Sequence, residues 1–300
     1  MTDILETGEP EPIGKARHRP EPVAAHHEWD GITELDNPMP RWWLLTWYAT
    51  ILWGVIYIVL YPAWPMISSA TPGILGYSSR ATVTAEVAAV REANAELDAR
   101  LNAVDLGAIA DDPDLLRFAI AGGGAVFRNH CGQCHGAGGQ GAMGGFPNLL
   151  DDDWLWGGDI DAIHQTIVHG IRYEPDPDTR FSQMPAFGEI LAPEEIDGLV
   201  QYVLSMSGAA HDATLAAAHA ETFLDNCSAC HGEAGEGMVE MGAPSLADGI
   251  WLYGGDPATI RLSIANARYG IMPSFSWGDR LRAEDIRKAA VYVHSLGGGQ

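Results

Sequence analysis

The sequence predicts a mainly α-helical chain, with one N-terminal transmembrane helix followed by two tandem copies of a small helical domain. Three observations carry this expectation. Residues 42–61, WWLLTWYATILWGVIYIVLY, are twenty consecutive uncharged and mostly apolar residues. From about residue 114 onwards, a series of short motifs occurs twice in the same order. All four cysteines fall in two copies of one signature, Cys131-Gly132-Gln133-Cys134-His135 and Cys227-Ser228-Ala229-Cys230-His231.

The first 27 residues are rich in Pro and Glu and hold few large apolar groups beyond Ile4, Leu5 and Ile13, too few to order them. Residues 1–41 are therefore expected to form an N-terminal tail. Within it the stretch 28–40, EWDGITELDNPMP, regains apolar character and reads as an interfacial segment or a capped entry to the next helix. A helix of twenty residues is about 30 Å long, the thickness of a bilayer's hydrocarbon core. Trp42, Trp43 and Trp47 stand at one end and Tyr57, Tyr61 and Trp64 at the other, as an aromatic belt would, so the membrane segment is assigned to 42–64. Ser68-Ser69-Ala70 resembles a cleavage site, but the apolar run begins 41 residues in and exceeds the h-region of a signal peptide, which favours an uncleaved anchor. Lys15, Arg17, Arg19 and Arg41 precede the span and no Lys or Arg follows it until Arg80. The positive-inside rule then puts the N-terminus in the cytoplasm.

Residues 65–113 read as a linker on the far side of the membrane. Pro62, Pro65 and Pro72 exclude a continuous helix. Val83, Val87, Val90, Leu97, Leu101 and Val104 recur at helical intervals, which predicts one amphipathic helix over residues 82–105.

The duplication divides the remainder into domains 114–208 and 209–300. Pro147-Asn148-Leu149 is answered by Pro244-Ser245-Leu246, and Trp154-Leu155-Trp156-Gly157-Gly158-Asp159 by Trp251-Leu252-Tyr253-Gly254-Gly255-Asp256. Met184-Pro185 is answered by Met272-Pro273, and Tyr202-Val203 by Tyr292-Val293. Each C-x-x-C-H is the attachment signature of a c-type haem: two thiols three positions apart bond two vinyl groups of one macrocycle, and the following His lies beneath the iron. Zinc would want its second cysteine pair about 15–20 residues from the first, whereas these lie 96 apart. A thioredoxin-like pair would want a βαβ setting, and none is visible. Cys131, Cys134, Cys227 and Cys230 are thus the expected attachment residues of two covalent haem c groups. In bacteria this attachment takes place on the outer side of the inner membrane, so residues beyond the anchor are expected in the periplasm.

His135 and His231 supply one axial position each, and the other should be soft or imidazole-type. Of the nine methionines only Met184 and Met272 hold equivalent places, each followed by Pro and then by Phe187 or Phe275. They are the expected distal ligands, while Met143, Met206, Met238 and Met241 read as packing or surface. His164 and His169 are rivals in the first repeat, but position 169 is read as aligning with Tyr269, so imidazole there is not shared. Pro147 and Pro244 stand in the loop where a carbonyl could accept the proximal His Nδ1 proton. His with Met raises the reduction potential relative to two histidines, as a route towards an oxidase requires.

The order helix, C-x-x-C-H, Pro loop, Met-Pro loop, closing helix with Tyr-Val is similar to the class I cytochrome c fold, here in tandem. The longer runs DGITELDNPMPRWW, YPAWP, DDDWLWGGD, QTIVHGIR and SQMPAFG resemble the dihaem subunit III (CcoP/FixP) family of cbb3-type cytochrome c oxidases, from Glu28 onwards. This resemblance implies an electron-transfer subunit of an oxygen-reducing, proton-translocating complex, with no oxygen-reducing site on this chain. It implies partners: a soluble c-type cytochrome as donor, the monohaem subunit II, the haem–copper subunit I and a small fourth subunit. It also implies that the distal methionines are exchanged, Met184 serving the Cys227 haem and Met272 the Cys131 haem. The residues alone are equally compatible with direct ligation. A single span departs from family members that carry two.

A net charge of −23 argues against nucleic acid or anionic lipid as partner and favours a basic one. Two other readings suit the same motifs: a free-standing membrane-anchored dihaem cytochrome, and a dihaem peroxidase, which needs one open distal position.

Overall fold

The computed structural model describes residues 23–36 and 38–299, and the chain divides into two compact units between Ala89 and Val90. Most of the expected tail, residues 1–22, lies outside the described residues. The first unit opens on an antiparallel hairpin of β1 (Val23–Trp29) and β2 (Ile32–Asp36), in register at Trp29↔Ile32 and Glu28↔Thr33 with an irregularity between Ala24 and Glu28. The sequence reading had no strand here. Its cause is local: Asp30 and Gly31 take φ of 50° and 81°, the pair of left-handed residues that a two-residue hairpin turn demands.

Helix α1 (Arg41–Leu60) follows Pro40 directly. It is long and apolar enough to cross a membrane, and none of it is buried among the described residues. It ends at Leu60, before the expected 64, because Pro62 cannot continue a helix and Tyr61 before it is extended at φ −115°, ψ 159°. The chain then folds back so that the Ile74 and Leu75 amides donate to the Val59 and Leu60 carbonyls, satisfying acceptors that the helix end leaves open. Gly73 makes this possible: at φ 71°, a Cβ there would lie 2.4 Å from the Leu60 oxygen.

Helix α2 (Ser79–Ala103) is longer than the 82–105 pattern suggested at its start and stops two residues earlier. Val83, Val87 and Val90 are exposed, whereas Leu101 is fully buried with Leu106, Ile109, Leu115, Ala119 and Val291. Among the described residues of the stripe, burial lies at its C-terminal end. That end is capped from elsewhere, since Arg287 Nε donates to the Leu101 carbonyl at 2.9 Å and its Nη2 to that of Val104. The ammonium of Lys288, itself 5 % exposed, lies 2.5 Å from Asp98.

The second unit carries both repeats. The first supplies α3 (Pro113–His130), the C-x-x-C-H turn α4 (Gly132–His135), α5 (Ile160–His169) and α6 (Pro193–Met206). The second supplies α7 (Ala213–Ala218), α8 (Ala220–Asn226), the turn α9 (Ser228–His231), α10 (Pro257–Asn266) and α11 (Ala283–His294). Asp112 and Asp212 cap α3 and α7 with side-chain acceptors. The final Asp of each W-x-x-G-G-D motif, Asp159 or Asp256, does the same for α5 or α10.

The expected boundary at 208/209 is a boundary of sequence and not of packing. Helix α3 of the first repeat packs against α11 of the second, with Phe127 and Tyr292 at 5.3 Å between ring centroids. Helix α8 of the second packs against α6 of the first, with Tyr202 and Phe223 at 5.1 Å. Phe127 and Phe223 are both fully buried, and truncating either would cost about 3–5 kcal/mol. Each of the two cores is therefore built from both repeats.

Candidate haem sites

Each C-x-x-C-H sits where a helix, α3 or α8, breaks into a second, four-residue one. The Cys131 amide still donates to Phe127 and the His135 amide to Cys131, so the two thiols and the imidazole project from consecutive turns. The second repeat repeats this geometry, with Cys227 bonded to Phe223 and His231 to Cys227. His135 Nδ1 donates to the Pro147 carbonyl at 3.0 Å, and His231 Nδ1 to that of Pro244 at 3.0 Å. Both prolines are those expected for this role. Burial lowers the pKa of both imidazoles, outweighing the carbonyl bond that raises it. A neutral ring whose Nδ1 proton is committed leaves Nε2 with a free lone pair, the state in which His binds a metal. The Cys131 and Cys227 thiols are each pushed up to about 11, first by burial and then by the neighbouring cysteine.

Each methionine lies in the core that holds the other repeat's cysteines. Met184 packs in the cluster that contains Cys227, Phe223, Ile260 and Ile264, and with Cys227, Cys230 and His231 it lines a cavity of about 530 Å³. Met272 packs in the cluster of Cys131, Phe127, Ile163 and Ile167. Its backbone is held there by the first repeat: Ile171 and Met272 exchange two amide–carbonyl bonds of 2.9 and 3.0 Å, and the Phe275 amide donates to Ile167 at 3.1 Å. Gly170, at φ 68°, permits the approach, since a Cβ there would lie 2.3 Å from the Met272 oxygen.

Of the rival histidines, His169 has its Nδ1 3.3 Å from the buried Asp176 carboxylate. The buried pairs Ile163/Ile260 and Ile167/Ile264 set the helix register, so His169 corresponds to Asn266 and not to Tyr269. Imidazole at that position is still not shared between the repeats. Met206 packs in the Cys227 core, in line with its reading as packing.

A matched pair of arginines escaped the sequence reading. Arg180 and Arg268 each stand four residues before a candidate ligand. Arg180 donates to Thr166 Oγ1 at 2.9 Å and lies over the Trp156 ring, and Arg268 donates to Ser263 Oγ from Nε at 3.1 Å and lies over Tyr253. Thr166 and Ser263 correspond, as do Trp156 and Tyr253. The signal is present as Arg-x-x-x-Met-Pro in both repeats, but c-type haem attachment by itself demands no arginine there.

These residues fit a covalently held, carboxylate-bearing macrocycle. Thiols, a pre-oriented imidazole and a thioether surround a mostly apolar cavity. The buried Trp156 Nε1 has no partner among the described residues, an orphan donor that a propionate-type acceptor would satisfy.

Comparison with known proteins agrees in both units. Residues 21–68 match the N-terminal domain of cytochrome oxidase-cbb3, FixP. Residues 118–203 and 214–293 match the family model for cytochrome c oxidase, cbb3-type, subunit III. The chain is 55 % identical over 282 residues to the cbb3-type cytochrome c oxidase subunit CcoP of Cereibacter sphaeroides, covering 93 % of this chain and 96 % of the relative. It is 54 % identical over 283 residues to CcoP of Rhodobacter capsulatus, at 91 % and 95 % coverage. Against subunit FixP of Azorhizobium caulinodans the figures are 51 % over 280 residues, 93 % and 94 %.

Proposed function

Because the chain belongs to the CcoP/FixP family of cbb3-type cytochrome c oxidase subunits, we propose that it is the complex's electron-receiving arm, with two haem c groups in exchanged ligation. Cys131 and Cys134, with His135 and Met272, would hold one group. Cys227 and Cys230, with His231 and Met184, would hold the other. A bound haem c supplies a one-electron couple, and His–Met ligation sets it high enough for transfer towards an oxidase. The chain's own residues orient and shield that couple. Pro147 and Pro244 fix the proximal tautomers, the apolar clusters exclude water, and Arg180 and Arg268 add positive charge beside each site.

The observation that carries this reading is the position of each methionine in the core that holds the other repeat's cysteines, with Met272 bonded there through its loop. In this reading residues beyond α1 face the periplasm, α1 anchors them and the N-terminus is cytoplasmic, as the Lys and Arg distribution favours. A soluble basic c-type cytochrome delivers electrons, and they leave through the monohaem subunit II to the haem–copper subunit I, where oxygen is reduced. No oxygen-reducing role falls on this chain, because each core already holds a methionine beside its haem-binding cysteines. A peroxidase would need one of these positions open.

Two measurements test the proposal. Haem analysis of the purified native complex should give two haem c groups on this chain alongside b-type haem. Met184→His should remove the near-infrared methionine–iron band of the Cys227 haem and leave that of the Cys131 haem, with Met272→His doing the reverse. Loss at the haem of the same repeat would overturn the exchange. Rapid carbon monoxide binding at one reduced haem of the unmodified protein would favour the peroxidase.

A further inference from the structure

The loop between helix and methionine differs in length between the repeats. From α10 the chain runs Asn266-Ala267-Arg268, whereas from α5 residues 171–179 intervene between Gly170 and Arg180. This insertion is braced on all sides. Asp176, 4 % exposed, accepts from the Asp178 amide and faces His169, the Tyr173 amide donates to Thr179 Oγ1 at 3.0 Å, and Arg280 donates to the Tyr173 hydroxyl at 2.9 Å.

The insertion presents Arg172, which has no counterpart in the second repeat. Its φ is 54°, a left-handed conformation that a long side chain adopts only when its surroundings hold it there. Nε donates to the Ser182 carbonyl at 2.6 Å and Nη1 to the Gly270 carbonyl at 3.0 Å. The guanidinium lies 5.7 Å from the Tyr269 ring centroid and lines the same cavity as Met184. No carboxylate pairs with it among the described residues.

The two acceptors are equivalent positions. Ser182 is two residues before Met184, and Gly270 is two residues before Met272. One rigid planar group therefore ties together the two methionine loops at matching points, although they lie far apart in sequence and serve different cores. Charge-assisted bonds to carbonyls are among the stronger hydrogen bonds, and a guanidinium gives up little internal freedom in making two at once. A displacement of either loop must stretch or drag the other.

We infer that Arg172 is a positioning residue that couples the two distal methionine loops, so that methionine ligation at the two haems loosens or tightens together. This rests on the ligation proposed above. The test uses the full-length chain in detergent, with Met184→His and Met272→His assigning each haem's methionine–iron band and carbon monoxide difference spectrum. Arg172→Gln removes fork and charge, and Arg172→Lys keeps the charge and removes the fork. With covalent haem content unchanged, both variants should raise apparent carbon monoxide affinity about tenfold at both haems, the effect of one charge-assisted bond lost from each loop. A change at one haem alone, or at neither, overturns the coupling. So does a lowered potential in Arg172→Gln with both bands intact and Arg172→Lys like wild type, because Arg172 would then act by charge alone. If the unsubstituted protein lacks a methionine band at either haem, the ligation reading fails and not the clamp.

Discussion

Replacing Gly123 with alanine tests the exchanged helix pairing at its tightest point. A Cβ on Gly123 of α3 would lie 2.0 Å from the Lys288 carbonyl oxygen and 2.6 Å from Tyr292 Cβ, both on α11, where ordinary contact begins near 3.4 Å. The obstructing atoms include backbone, so no rotamer change relieves them, and the helices must separate by about 1 Å. Such overpacking costs up to about 3 kcal/mol, and the higher helix propensity of alanine returns about 1 kcal/mol. The net loss is about 2 kcal/mol. The neighbouring Gly122 supplies the control, because its Cβ would meet only side-chain atoms of Lys288, at 2.8 Å from Cδ, and no backbone. Gly122→Ala should be near neutral, so the two variants should differ by about 2 kcal/mol. Urea unfolding of the full-length protein in detergent, followed by far-ultraviolet circular dichroism and by the methionine–iron bands, measures both. Since α11 follows the Met272 loop, Gly123→Ala should weaken the band of the Cys131 haem first. Equal stability of the two variants, or a loss confined to the Cys227 haem, would refute the reasoning.

Three further outcomes are expected. Leu101→Ala should cost about 3 kcal/mol in the same urea assay, because Leu101 is fully buried where the end of α2 meets α3 and α11, while Val90→Ala at an exposed position should change little. Burial, then Asp248, Asp151 and Asp152, push the Asp153 carboxyl up to about 6 from 3.8, so the folded protein holds its proton more tightly than the unfolded chain. The stability this gives is present below about pH 4 and is lost as pH rises through 6. Asp153→Asn should therefore gain about 1 kcal/mol over wild type above pH 6.5, after allowance for partial exposure, and the gain should vanish near pH 3.5 in a stability–pH series. Residues 80–300 hold 13 Lys and Arg against 31 Asp and Glu, so oxidation of a basic donor cytochrome should slow steadily between low and physiological ionic strength in stopped-flow measurements.

Much of the site was legible because its chemistry is local. Cysteine spacing, the following histidine, the proline whose carbonyl meets Nδ1 and the Asp that caps α5 or α10 each act within a few residues, or across one loop. The hairpin was legible too, in Asp30-Gly31, but residues 28–40 were read for the membrane that follows them and not for the turn they contain. The helix stops short of the expected residue 64 because, although the aromatic belt continues past Pro62, backbone sterics there end the helix at Leu60.

The exchange of helices between repeats was not legible from residues read along the chain, although four of them encode it. At the α3–α11 crossing, Gly123 stands against Lys288; at the α6–α8 crossing, Gly198 stands against His219, whose ring would lie 2.1 Å from an added Cβ. Gly123 and His219 hold equivalent places, four residues before Phe127 and Phe223, and Lys288 and Gly198 do so before Tyr292 and Tyr202. Direct pairing would set Gly123 against Gly198, leaving a void at one crossing, and His219 against Lys288, crowding the other. Either defect carries a cost of order 1–3 kcal/mol, whereas exchange sets one small residue against one large at both crossings. Each glycine alone reads as a weak point in a helix, and the lysine and histidine as solvated polar residues. Their meaning lies in which helix each one faces, a relation between the repeats that similarity between them conceals, because alignment places Gly123 beside His219 and the fold places it against Lys288.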